Sequence, residues 1–87
     1  MNYESFCTKL FEGNTLFSYE YNENTEINIW TKNTGFFVKK KIWVFDVHIL
    51  NDSFRYMLSY YSDPNLLLQN ARIDGKSLKE IWDDLKE

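Results

Sequence analysis

Hydrophobic and polar positions along this chain follow two different periods. Near each end, apolar residues recur at intervals of three and four, which predicts amphipathic helices. Between them, from Leu16 to Tyr61, apolar and polar residues alternate over short runs, which predicts strands joined by turns. Helices at the ends and strands between them indicate an α+β domain.

The first helix is predicted over residues 2–12. Its apolar stripe consists of Tyr3, Phe6, Cys7, Leu10 and Phe11. Asn2 suits the N-cap, and Gly13 suits a left-handed C-terminal residue. The last helix is predicted over residues 78–86, because Ser77 and Glu80 have the spacing of a capping box. We expect Trp82 to anchor that helix on the sheet.

The alternating runs predict an antiparallel meander, since the connections between them are short. The predicted strands cover residues 16–21, 26–31, 36–50 and 54–61, with turns at 22–24, 32–35 and 51–53. Each helix has a single apolar stripe, so we expect both helices to lie on one face of the sheet.

Residues 62–73 allow two interpretations. Asp63 before Pro64 suits a turn, which would make Leu66–Ile73 a fifth strand, or an N-cap, which would make a short helix. We favour the strand, because the run that follows Pro64 shows no helical stripe. The sheet is therefore predicted to have four or five strands.

Length and composition predict one domain spanning residues 1–87. The chain is 44% hydrophobic and 18% aromatic, which is enough apolar material to offset the entropy of ordering. Its apolar runs are too short to span a membrane, and no signal peptide is evident at Met1. One cysteine cannot form an internal disulfide. We expect a cytoplasmic protein with no membrane partner.

The motifs that resemble catalytic or ligand sites are weak. Gly75-Lys76-Ser77 lacks the upstream glycine of a phosphate-binding loop. Asp46 and His48 share a strand face, so a base could in principle activate Cys7, but Cys7 falls on the apolar helix stripe. The chain has one histidine and lacks the ligands for tetrahedral zinc. We predict no enzyme activity, no cofactor and no metal.

Charge is unevenly distributed, although the net charge is only −3. Lys39, Lys40 and Lys41 follow Phe36 and Phe37, a combination that can contact nucleic acid through phosphates and stacked bases. The acidic balance of the whole chain argues against that function. Charge on an exposed strand edge, where it prevents aggregation, also accounts for the lysines. Asn51-Asp52-Ser53 matches a glycosylation sequon, which we interpret as a hairpin turn.

The predicted binding surface lies on the acidic, aromatic half of the meander. We expect aromatic side chains on both faces of these strands, of which only one face can meet the helices. Exposed tyrosine and tryptophan beside acids are typical of protein-binding surfaces. The predicted binding residues are Tyr19, Glu20, Tyr21, Glu23, Glu26 and Trp30.

These features favour a small stand-alone protein-binding module that inhibits a partner enzyme. Two classes of small inhibitor fit this description by analogy: toxin immunity proteins, and phage anti-defence proteins such as anti-CRISPRs. A basic nuclease or another nucleic-acid-handling enzyme is the expected partner. The alternative is a homodimer or a subunit of a complex that buries the second sheet face. An enzyme and a direct nucleic-acid binder are the third and fourth possibilities.

Overall fold

A computed structural model describes residues 1–14, 16–37, 39–50 and 56–87, without the side chain of Tyr56. Helix α1 (Tyr3–Glu12) precedes four strands, β1 (Leu16–Tyr21), β2 (Thr25–Thr34), β3 (Lys40–Ile49) and β4 (Tyr56–Tyr61). Helix α2 (Pro64–Asn70), a hairpin of β5 (Arg72–Ile73) and β6 (Lys76–Ser77), helix α3 (Leu78–Ile81) and a 3₁₀ turn (Trp82–Asp84) follow. The predicted α+β class is confirmed.

The four long strands form an antiparallel meander in the order β1-β2-β3-β4. Cross-strand partners always have the same parity, as in Phe17 opposite Ile29 and Ile29 opposite Phe45. Odd-numbered residues of all four strands therefore share one face, and even-numbered residues share the other. We call these the inner face and the outer face.

The inner face carries the core, and all three helices contribute to it. Its buried strand residues are Phe17, Tyr19, Tyr21, Ile27, Ile29, Trp43, Phe45 and Val47. The helices and the small hairpin add Phe6, Leu10, Leu67, Ala71, Ile73, Leu78 and Ile81. The prediction that the helices lie on one sheet face is confirmed.

Helix α1 has the predicted cap at each end, Asn2 at its N-terminus and Gly13 at its C-terminus. The Asn2 side chain accepts a hydrogen bond from the Ser5 backbone N–H at 2.8 Å. Gly13 ends the helix at φ +77°, the left-handed region that costs residues with a Cβ atom about 1–2 kcal/mol. The indole N–H of Trp43 donates to the Leu10 carbonyl at 2.8 Å, which fastens the end of α1 to β3.

Two predictions about the middle of the chain were wrong. The second turn does not lie at residues 32–35, because β2 pairs with β3 as far as Thr34 opposite Lys40. Residues 66–70 belong to helix α2 and not to a fifth meander strand. Asp63 caps that helix by accepting from the Asn65 N–H at 2.7 Å, and Pro64 occupies its first turn. A seven-residue helix that buries mainly Leu67 needs no stripe, so periodicity could not reveal it.

The C-terminal helix is shorter than predicted. Its capping box is present, since Ser77 and Glu80 exchange hydrogen bonds at 3.0 and 3.2 Å. After Ile81 the chain tightens into the 3₁₀ turn, and Lys86 then pairs with Glu20 as an isolated bridge. Acidic Asp83 and Asp84 would lie at the negative end of a longer helix, which disfavours its continuation.

Strands β2 and β3 extend beyond their neighbours as a two-stranded hairpin, which we call the arm (residues 32–37 and 39–42). The last β1 pair is Leu16 with Trp30, and the last β4 pair is Tyr61 with Trp43. At the root of the arm, the Thr31 hydroxyl donates to the Gly13 carbonyl at 2.9 Å, and the Lys41 ammonium donates to Asn14 at 3.3 Å.

The turn and sequon at residues 51–53, and the predicted start of the fourth strand at 54–55, lie outside the described residues. Asp74 and Gly75 form the turn between β5 and β6, with φ values of 52° and 77°. Among the described residues, no helix combines the length and apolar character that a membrane crossing requires.

Replacing Gly13 by alanine should destabilise the domain by about 1 kcal/mol, because φ +77° is unfavourable for an L-residue. The new Cβ would also lie 2.9 Å from Cδ of Lys41, a flexible neighbour. Gly75→Ala is the matched control, since Gly75 has the same φ and nothing within 4 Å. Urea unfolding should give similar losses for both. An excess loss in Gly13→Ala that persists in a Lys41→Ala background would contradict this account.

Replacing Trp82 by alanine should cost about 3 kcal/mol, the lower end of the range for truncating large aromatic core residues. The ring is half-buried, with its centroid 5.5 Å from that of Tyr3, 4.8 Å from Phe6 and 5.3 Å from Tyr19. Thermal melting checks the loss. Tyr60→Ala on the outer face should cost much less, and equal losses would show that Trp82 is no anchor.

Candidate protein-binding face

Helices cover the inner face, whereas no described helix or strand forms a layer over the outer face. The outer face is made of the even-numbered strand residues. Its members with described side chains are Leu16, Ser18, Glu20, Glu26, Asn28, Trp30, Ile42, Val44, Asp46, His48, Leu58 and Tyr60. Lys32 and Lys40 continue this parity into the arm.

An apolar row crosses the outer face at the end nearest the arm. Leu16, Trp30, Val44 and Tyr60 are successive cross-strand partners. Leu16 is 75% exposed and Tyr60 57%, whereas Val44 is fully buried although none of the described helices lies on its face of the sheet. Its neighbours on the sheet, among them the half-buried Trp30, must shield Val44. The row therefore forms an apolar strip with exposed ends and a buried centre.

An acidic row crosses the same face at its other end. Glu20 lies directly opposite Glu26, and Glu26 lies opposite His48. Like charges in opposite positions of an antiparallel pair destabilise a sheet. The Asn28 amide donates to Glu26 at 3.1 Å, but no ion pair among the described residues involves either glutamate. A partner cation at this position would relieve the repulsion.

His48 ends the acidic row opposite Glu26, and Asp46 lies opposite Asn28, between the two rows. The His48 Nε2 atom is 3.0 Å from Asp46 Oδ2, so the two residues do share a strand face as predicted. Cys7 belongs to α1 on the inner side, packed against the core. The sheet therefore separates Cys7 from His48, and the two cannot form a nucleophile–base pair.

The structure divides the six predicted binding residues into two groups. Glu20, Glu26 and Trp30 lie on the outer face, and Glu23 is exposed in the turn between β1 and β2 at φ 62°. Tyr19 and Tyr21 are only 4% and 5% exposed and belong to the core.

Aromatic side chains lie on both faces of the stretch formed by β1 and β2, as expected, but only Trp30 is on the outer face, and within β1 the expectation was wrong. The aromatic residues of that strand are Phe17, Tyr19 and Tyr21, all odd-numbered, so they all turn towards the helices. Burial, together with the nearby Glu87 carboxylate, raises the pKa of Tyr19 to about 12. Burial and a hydrogen bond with Cys7 likewise raise the pKa of Tyr3 to about 12. Both phenols therefore stay protonated. Tyr19 packs within the core, and Tyr3 packs against it.

The sequence analysis missed Leu16, Val44 and Tyr60 as surface partners of Trp30. These residues lie on three different strands, and only the register between strands brings them into one row. Part of this row could have been predicted, because the alternation in β3 and β4 places Val44 and Tyr60 each on a definite face of its own strand. The pairing of those faces across the sheet was the missing step.

A pocket of about 340 Å³ opens on the inner side, beyond the helices. It is lined by Thr25, Val47, Ile49, Met57, Arg72, Ile73 and Asp74. Its volume is at the lower end of the range for small-molecule sites. The lining is mainly apolar with one charge of each sign, which gives it no evident catalytic chemistry.

Comparisons of this chain with protein-family models, with curated proteins and with solved structures find no match. Its function therefore has to be inferred from the chemistry of its surface.

Proposed function

We propose that this protein is a non-enzymatic binding module that inhibits a partner enzyme by covering a basic surface with its outer face. The observation that carries the proposal is the pairing of two rows on one open sheet face. The apolar row supplies area to bury, with Leu16 and Tyr60 exposed at its ends. The acidic row supplies charge for orientation. Apolar contact areas bordered by charge are typical of protein interfaces.

A basic partner is favoured by the opposition of Glu20 and Glu26. A lysine or arginine from the partner would relieve their repulsion, so binding would remove a cost that the free protein bears. Acidic residues also steer a basic partner and raise the association rate. Enzymes that bind nucleic acid present such basic surfaces to phosphates. Toxin immunity and phage anti-defence proteins, including anti-CRISPRs, are classes of inhibitor that fit by analogy.

The cytoplasm is the proposed site of action. Cys7 is free and half-buried in the described structure, and it packs as a small apolar residue beside the core. A protein without an internal disulfide suits a reducing compartment.

Reversal of Glu20, Glu23 and Glu26 to lysine should slow association with a basic partner by roughly an order of magnitude or more at low salt, and by less at high salt. The fold should persist, because Glu20 and Glu23 are exposed and Glu26 is only half-buried, and surface substitutions usually change stability by within about 0.5 kcal/mol. Affinity capture from extracts of the native host, followed by mass spectrometry, would identify candidates. Surface plasmon resonance would then give the rates for each.

The matched control reverses Glu4, Glu12 and Asp83, which are exposed and lie away from the outer face. It makes the same change in net charge. Glu4 lies in the first turn of α1 and Glu12 in the last, so their helix-dipole effects oppose each other. Association should be nearly unaffected by this control. An on-rate that falls equally in both variants, or in neither, would place the interface elsewhere.

A homodimer through the edge of β4 is the second candidate. β4 is the last strand of the sheet, and its residues Tyr56–Tyr61 include no charge. Met57, Leu58 and Tyr60 are each at least 40% exposed. The opposite edge is partly occupied, because the Lys86 backbone pairs with Glu20 in β1. An unprotected apolar edge readily pairs with a second copy.

Light scattering after size-exclusion chromatography distinguishes the two candidates. A β4 dimer should persist or tighten in high salt, because its contacts are apolar and backbone hydrogen bonds. Leu58→Lys should convert it to monomer, whereas Leu16→Lys, at the other end of the outer face, should not. A monomer at all concentrations would exclude this candidate and leave the outer face for a different protein.

A further inference from the structure

The tip of the arm exposes two adjacent phenylalanines. Phe36 and Phe37 are 98% and 102% exposed, the highest values among the large apolar residues described. Gly35, at φ 97°, provides the turn that leads into them. A lone exposed apolar side chain is ordinary on a protein surface. Two neighbouring rings projecting fully into water at a hairpin tip cost solvation free energy that binding would recover.

Basic residues surround these rings. Lys32, Lys39 and Lys40 are exposed in the arm, and Lys41 lies at its root. No acidic residue occurs between Glu26 and Asp46. None of the ion pairs among the described residues involves these lysines. The four lysines contribute +4 to a net charge of −3, so the remaining residues carry −7.

The acidic pair and the basic arm lie at opposite ends of the sheet, along the direction of its strands. Glu26 is the second residue of β2 and Thr34 is the last, so they lie eight residues or roughly 27 Å apart at about 3.4 Å per residue. The Glu20–Glu26 pair therefore lies at one end and the basic arm at the other. Near a negatively charged plane, this distribution orients the protein with the arm forward and the acidic end away.

We propose that the arm tip inserts into the surface of a membrane containing anionic lipid. Phe36 and Phe37 would enter the boundary between headgroups and acyl chains, and the lysines would contact the anionic headgroups. A bilayer offers this order of layers, charge outside and hydrocarbon beneath. Such binding needs no membrane-crossing segment, so it differs from the spanning mode that the short apolar runs exclude.

The shape of the arm favours a membrane over nucleic acid. Proteins that bind single strands use a basic groove that follows the backbone, with aromatic rings as platforms along it. A hairpin tip is convex, and its rings lie at the apex rather than along a path. The acidic remainder of the protein would also repel a polyanion that extended past the tip. Binding of the arm to single-stranded nucleic acid is therefore the competing outcome of the experiment below.

Flotation with vesicles of phosphatidylcholine alone, or with about 30% phosphatidylserine, tests the proposal on the intact protein. The parent should bind the anionic vesicles and bind the neutral ones much more weakly, with loss in high salt. Lys39→Gln with Lys40→Gln should weaken binding roughly fivefold per lysine. Phe36→Ser with Phe37→Ser should weaken it at least about tenfold, since the apolar contribution is lost.

Matched controls change the same residue types elsewhere. Lys76→Gln with Lys79→Gln removes two exposed lysines outside the arm, and Leu16→Ser removes an exposed apolar side chain from the outer face. Neither should alter vesicle binding by more than about twofold. Circular dichroism should show that all variants retain the fold, because every substituted side chain is exposed.

Depth of insertion gives an independent measurement. In Phe37→Trp, the added tryptophan should shift its emission to the blue with anionic vesicles, and brominated lipids should quench it more than they quench the parent. Failure of the parent to bind anionic vesicles at low salt would overturn the proposal. Equal loss in the tip and control variants would do so too. Binding to single-stranded RNA, abolished by the tip variants and without vesicle binding, would assign the arm to nucleic acid.

Discussion

The packing of Phe6 holds together the parts of the chain that are farthest apart in sequence. This ring has no exposed surface, and its centroid lies 4.8 Å from that of Phe17 on β1 and 4.8 Å from that of Trp82 after α3. Tyr3 and Tyr19 complete the cluster at 6.0 and 6.3 Å. One side chain of α1 thus joins the first strand to the C-terminal segment. These aromatic contacts use the inner face, and none of the helices and strands that the structure describes covers the outer face.

Because the helices pack on the inner face, most residues that stabilise the fold lie on that face, and most residues proposed to bind a partner lie on the other. The inner face holds the large aromatic and aliphatic residues, including the tyrosines that were expected to bind a partner. The outer face keeps a narrow apolar row and an acidic pair whose repulsion serves no purpose in the fold. Local conflicts of this kind are tolerated where function requires them. The glutamates proposed to bind a partner can therefore vary with little effect on the core, whereas Trp30 also shields the buried Val44.

The sequence predicted the elements whose signals are local or periodic. The α1 stripe, the Asn2 and Ser77 caps and the alternation in β3 all depend on residues within a few positions of one another, so they could be found. Helix α2 was the less favoured of two interpretations, because its evidence is a cap at Asp63 and Pro64 with one buried leucine, and the same residues also suit a turn. The 3₁₀ end of α3 was missed because unfavourable acids shorten a helix without changing its apolar spacing.

The candidate site was half predicted, for a related reason. Glu20, Glu26 and Trp30 lie on the outer face as their parity requires, whereas Tyr19 and Tyr21 were assigned by composition and not by parity. The apolar row could not be derived, since it depends on the register of four strands. Register is set by turns and by the sum of side-chain contacts across the sheet. No single segment of the chain contains that information.

The root of the arm has a mechanical consequence. Trp43 is bonded to the end of α1, Thr31 to Gly13 and Lys41 to Asn14, so three hydrogen bonds join the hairpin to one corner of the domain. These bonds restrain the base of the hairpin against α1. Contact at the tip then sacrifices little backbone freedom at the base, which reduces the entropic cost of binding.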